Sequence, residues 1–61
     1  MTADEIIKII EANGWYHMKT VGSHKHFKHP VKPGKVSVPV HGKKDIHPKT
    51  LKSILRQAGL A

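Results

Sequence analysis

Sixty-one residues form at most one domain, because a chain this short hides only about 60% of the surface that its unfolded form exposes. With no cysteine, disulfide staples and thiolate metal sites are excluded, and stability has to come from apolar packing and secondary structure, with a partner as an optional addition. Eleven lysines and arginines against four acidic residues give a formal net charge of +7 before any of the six histidines is protonated. A charge of this size repels itself in a compact body unless it is used. Its ordinary uses are nucleic acid, an anionic membrane or an acidic protein partner, with a plain solubility surface as the bland alternative.

Met1 to Glu5 carries acidic residues where a secretory signal needs basic ones followed by an unbroken apolar block, and no segment is long enough to span a bilayer. A cytoplasmic setting is the expectation. Thr2-Ala3-Asp4-Glu5 reads as a capping box, with the Thr2 hydroxyl offered to an orphan amide and Glu5 reaching back to the cap. Ala3, Ile6, Ile7 and Ile10 then fill the i, i+3, i+4, i+7 positions of one helix face, and Asn13-Gly14 supplies a left-handed stop. The spacing predicts a helix over about residues 3 to 13.

From Trp15 the pattern changes. Trp15 to Val21 and His24 to His29 are rich in aromatic and β-branched residues around a Gly22-Ser23 turn, which predicts a hairpin. Trp15 follows the helix stop and carries an apolar body, so it is expected to anchor the hairpin to the helices in preference to stacking on a base. Two prolines and a glycine between Pro30 and Gly34 mark a loop, after which Val36-Ser37-Val38-Pro39-Val40 alternates as a half-buried strand. Pro39 has no amide proton, so this strand should lie at an edge or end close to that residue.

Past the polar connection His41-Gly42-Lys43-Lys44, Pro48 suits the first turn of a second helix, where its missing donor costs nothing. Leu51, Ile54, Leu55 and Ala58 repeat the one-face pattern, Gly59 is placed to end the helix, and Leu60 can fold back onto it. The second helix should cover roughly residues 48 to 58. The predicted fold is therefore a single α+β domain over residues 1 to 61, ordered α-β-β-β-α, with a three-stranded antiparallel sheet carrying both helices on one face. The opposite face is left to solvent or a ligand, and the basic residues of the strands should populate it.

Four of the six histidines, His24, His26, His29 and His41, fall in or beside the central strands. Side chains alternate along a strand, so if Phe27 enters the core, His24, His26 and Lys28 look outward. An outward histidine has three readings. It can be an idle surface residue. It can bind metal, since His24 and His26 have ligand spacing; without cysteine and with few carboxylates, only an all-imidazole site completed by His29 or His41 is available, and no metal or other cofactor is expected. It can also transfer protons, because an imidazole with an unperturbed pKa of about 6.5 takes or gives a proton near neutrality.

RNA cleavage by transesterification needs a base for the 2′-OH, an acid for the leaving 5′-oxygen and cations for the charge that gathers on the non-bridging oxygens. His24 suits either proton-transfer role, Lys19 and Lys28 can supply positive charge, and the amides of Gly22 and Ser23 can form a small anion nest. Lys43, Lys44, Lys49 and Lys52 have two readings of equal weight: an ordinary solvated face, or a line of contacts to an RNA backbone.

Gly14-Trp15, the basic Lys19, Gly22-Ser23-His24 followed by Phe27 and His29-Pro30, Val38-Pro39-x-His41, and Thr50-Leu51-x-x-Ile54-Leu55-x-Gln57-Ala58-Gly59-Leu60 together resemble the HicA family of toxin ribonucleases. The likeness spans nearly the whole chain in order and spacing. It implies a fold similar to the double-stranded-RNA-binding domain, a metal-independent endoribonuclease activity that cleaves mRNA and stops translation, and a HicB-like antitoxin that blocks it in a heteromeric complex. It also implies that His24 is catalytic, since it matches the histidine of the family's Gly-Ser-His motif, and that Gly22 matches its glycine. Where the family often has arginine this chain has Lys19, which keeps the charge and loses the bidentate fork for phosphate. An RNA-binding module that uses the same basic face without cleaving is the alternative.

Overall fold

The computed structural model describes all of residues 1–61, and its elements follow the order read from the sequence. Helix α1 spans Ala3–Ala12, strands β1, β2 and β3 span Tyr16–Val21, His24–Lys28 and Val36–Pro39, and helix α2 spans Pro48–Gln57. The capping box is formed at the start of α1: the Glu5 amide donates to the Thr2 hydroxyl at 3.3 Å, and the Thr2 amide donates to the Glu5 carboxylate at 2.9 Å. Those hydrogen bonds hold the Glu5 carboxyl below its ordinary pKa. Asn13 caps the far end, Gly14 takes φ +97°, and the Trp15 amide reaches back to the Ile10 carbonyl at 3.1 Å. The helix thus closes one residue earlier than the periodicity predicts, because Asn13 serves as its cap and no longer as a residue of its last turn.

The three strands form one antiparallel sheet in the order β1-β2-β3. Val21 faces His24 across a two-residue turn in which Gly22 has φ +59° and Ser23 a negative φ. Positive φ at the first central position alone marks a type II′ hairpin and makes that position a glycine site. Strand β3 is an edge strand and Pro39 faces His24 in a pair that exchanges no backbone hydrogen bond, so the missing proline donor removes none from the sheet. The Val40 amide nevertheless donates to the Ser23 carbonyl at 2.7 Å, continuing the β2–β3 pairing past the end of the strand.

The core lies on one face of this sheet. Phe27, Val36 and Val38 from the strands meet Ala3, Ile6 and Ile10 of α1 and Ile54 of α2, with Trp15, Ile46 and Ala58 closing the cluster. Both helices therefore cover the same face, as the two amphipathic patterns require. Trp15 is 2% exposed and its indole N–H donates to the Ala58 carbonyl at 3.3 Å, so it ties the start of β1 to the end of α2. At that end the Leu60 amide donates to the Leu55 carbonyl at 2.8 Å while Gly59 takes φ +74°, a Schellman closure.

The sheet also holds an irregularity that alternation does not predict. The β1–β2 register slips between His17 and Lys19: His17 faces Phe27, whereas Lys19 faces His26. Met18 is the extra residue of a bulge, which inverts the alternation of everything beyond it on β1. Simple alternation from Tyr16 would put Met18 and Thr20 on the outer face. The bulge puts Lys19 and Val21 there instead, beside the outward residues of β2.

Candidate functional site

His24, His26 and Lys28 alternate with the buried Phe27 and so project from the face opposite the helices. Their cross-strand partners are Val21, Lys19 and Tyr16 on β1, and Pro39 and Ser37 stand beside the two histidines on β3. Lys19, carried to this face by the bulge, is the diagonal neighbour of His24, a spacing of roughly 7–8 Å. Lys28 lies four residues along the same strand, about 13 Å from His24 at a rise of about 3.3 Å per residue.

The one cavity of the structure opens where β2 begins. About 380 Å³ in volume, it is lined by His24, Pro39, His41, Lys44, Asp45, Ile46, His47 and Thr50. Three imidazoles, one ammonium and a threonine hydroxyl thus border a single cleft with one carboxylate. Asp45 accepts an ion pair from the Met1 ammonium at 3.3 Å, and the segment that carries it is held by the Ile46 amide donating to the Met1 carbonyl at 2.7 Å. Lys44 joins His24 at this cleft, whereas Lys43 sits on the exposed turn with Gly42 and does not line it. Gly22 and Ser23 form the hairpin bend immediately before His24.

The six imidazoles are employed differently, and their hydrogen bonds show how. His17 Nε2 pairs with the Thr20 hydroxyl at 2.8 Å and its ring meets Phe27 edge-on. His26 Nδ1 lies 3.4 Å from the Ser37 hydroxyl. Partial desolvation, and then the positive surroundings of Lys35, Lys19 and His24, push its pKa below the ordinary histidine value and so favour its neutral form. His29 Nδ1 accepts from the amides of Val31 and Lys32, both at 3.0 Å, which places its proton on Nε2, donated to the Asn13 carbonyl at 2.8 Å. Both nitrogens of His29 are therefore spent on structure, and neither is open to a metal.

His47 Nδ1 accepts from the Lys49 amide at 3.2 Å and so caps α2, with Pro48 at the first helical position. Its proton likewise sits on Nε2. The imidazoles of His24 and His41 make no hydrogen bond within the chain, both residues are exposed, and both line the cleft. No set of three or more histidine, aspartate or glutamate side chains converges in a way that could hold a metal ion.

The family profile described as the HicA toxin of bacterial toxin–antitoxin systems matches residues 3–60. The chain belongs to the HicA toxin family. No curated protein matched it individually. The matched span takes in every element of the HicA fold described above, from the first residue of α1 to the Schellman closure after α2. No helix of the structure is long and apolar enough to cross a membrane.

Sequence reasoning singled out His24, Lys19 and Lys44 and placed His41 only among spare metal ligands and family landmarks. It named Thr50 only as a family landmark and passed over His47 and Lys35. The signal for His47 was available, because a proline at the first helical position makes the residue before it the cap. Lys35 had none, and the cleft position of Thr50 had none either, since both reach their neighbours through loop and helix placement that no local pattern encodes.

Proposed function

We propose that this HicA toxin is a metal-independent endoribonuclease that cleaves mRNA by transesterification, with His24 transferring a proton as general acid or base. The reading is supported chiefly by one observation: an exposed imidazole with no intramolecular partner stands on the wall of a cleft whose other charged and polar groups are mostly cationic or hydrogen-bond donors. In the reaction the 2′-oxygen bonds to phosphorus as it loses its proton, and the bond to the 5′-oxygen breaks as that oxygen gains one. The products are a 2′,3′-cyclic phosphate and a 5′-hydroxyl. Lys44 and Lys19 offset the charge that builds on the non-bridging oxygens. Gly22 and Ser23 fix the bend that presents His24, and Lys28 and Lys43 extend the basic track along which the RNA backbone lies.

A toxin acting in this way needs an inhibitor that covers the cleft. We assign that part to a HicB-like antitoxin, whose complementary surface would be acidic or would mimic the substrate backbone. The test is to incubate the purified protein with end-labelled RNA in EDTA. Cleavage to products bearing a 2′,3′-cyclic phosphate is expected, and the His24→Ala variant should lose about 10²–10⁴-fold in rate while keeping its thermal midpoint. Salt-sensitive RNA retention without any product would overturn the nuclease and leave a pure RNA-binding module.

A further inference from the structure

Transesterification moves two protons, and one imidazole cannot both take the first and deliver the second within a single concerted step. Building on the ribonuclease reading, we propose that His41 is the second proton-transfer residue, working with His24 in the opposite protonation state. Of the six histidines, four are tied to partners inside the chain. The two that are not share one cleft.

The backbone holds this pair in register. Ser23 and Val40, the residues just before His24 and His41, are joined by the 2.7 Å hydrogen bond from the Val40 amide to the Ser23 carbonyl. His24 faces Pro39, and alternation carried two residues further puts His41 on the same side, diagonal to His24 at roughly 7–8 Å. Two imidazoles so spaced can each reach one of the two oxygens that flank an in-line phosphorus. The loop beyond is fixed as well: the Lys44 amide donates to the His41 carbonyl at 3.3 Å across a turn with Gly42 at φ +64°, and Val40 packs against the core. The main chain around His41 is pinned and its ring is free, which suits a group that must change protonation state while holding position.

His47 lines the same cleft but is excluded from this role by its cap. Protonating Nδ1 would break the bond from the Lys49 amide, and giving up the Nε2 proton would leave an imidazolate. It can only donate a hydrogen bond, for which a non-bridging phosphate oxygen is the natural acceptor. The neutral partner of the His24–His41 pair removes the 2′ proton, and the protonated partner delivers its proton to the departing 5′-oxygen. Both residues finish with their charges exchanged.

The experiment compares the wild-type protein with His24→Ala and His41→Ala on two RNA substrates, one ordinary and one with sulfur replacing the bridging 5′-oxygen at the cleavage position. A thiolate leaves without protonation, so the sulfur substrate bypasses the acid alone. His41→Ala should keep its fold and its KM and lose at least about 10²-fold in kcat on the ordinary substrate. The sulfur substrate should restore near wild-type rates to one of the two variants and leave the other impaired, which also assigns acid and base. His41→Ala cleaving within about threefold of wild type while His24→Ala is inactive, a defect carried by KM alone, or rescue of both variants or neither would each overturn the pair. Absence of cleavage by the wild-type protein itself would overturn the ribonuclease reading beneath it.

Discussion

His24 opens strand β2 and His29 follows its last residue, and the two ends of that strand use the same side chain in opposite ways. At the His29 end the imidazole accepts two amides, donates to a carbonyl and meets the Trp15 ring edge-on with centroids 5.2 Å apart. It stitches the α1–β1 turn to the loop that begins at Pro30. At the His24 end the ring has no partner in the chain and borders a cleft that it shares with His41, His47 and Lys44. One end has its hydrogen-bonding capacity filled by structure; the other leaves that capacity unused within the chain, which is what the proposed reaction requires.

Alanine at each end should separate the two uses. His24→Ala is expected to lower RNA cleavage by about 10²–10⁴-fold, a barrier change of about 2.7–5.5 kcal/mol, with no shift in melting temperature. At the closed end Trp15→Ala should cost about 3–5 kcal/mol of stability in chemical denaturation, much of what a domain of this length is expected to possess. Activity there should fall only in proportion to the unfolded fraction. A Trp15→Ala protein that stays fully folded but cannot cleave would erase the distinction between the ends.

Smaller perturbations sharpen it. His29→Ala removes the hydrogen bonds from the amides of Val31 and Lys32 and the one to the Asn13 carbonyl, an expected net loss of about 1–3 kcal/mol in total by the same denaturation measurement. Gly14→Ala should cost a comparable amount: the residue has φ +97°, and an added Cβ would lie 2.5 Å from His29 Nε2, so the staple itself would have to shift. Gly22, at the open end, has no atom within 4 Å of the place a Cβ would occupy, and its requirement is the positive φ of the hairpin alone.

Among the lysines, Lys44→Ala should weaken RNA binding, lower the slope of its salt dependence by about one and reduce kcat. Lys28→Ala, remote from the cleft, should change the slope similarly and leave kcat unaltered. The smallest effect concerns pH. The folded-state pKa of His26 is depressed by desolvation and by Lys35, Lys19 and His24, so the unfolded chain binds the proton more readily. Stability carried by neutral His26 is present above the ordinary histidine value near about 6.5 and is lost as pH falls below it toward the folded pKa. In thermal melts across that window, His26→Gln should show a shallower decline in midpoint than wild type. An identical slope would mean that the surrounding charges are too well screened to matter.

What the sequence settled by itself was most of what is governed by neighbours along the chain, the His47 cap being the local feature it missed. The capping box at Thr2, the stop at Asn13-Gly14, the hairpin turn at Gly22-Ser23, the edge position of Pro39 and the Gly59 closure are each dictated by backbone chemistry within a few residues. The outward direction of His24 followed from alternation once Phe27 was assigned to the core. Tertiary structure decided the rest. A bulge at Met18 moved Lys19 onto the face of His24, and the β2–β3 register, set across a loop with no periodicity, brought His41 beside it. Packing of α2 against β3 then added His47 and Thr50 to the same cleft. Which imidazoles are spent on structure and which remain free depends on partners distant in sequence, and only the folded chain brings those partners within hydrogen-bond reach.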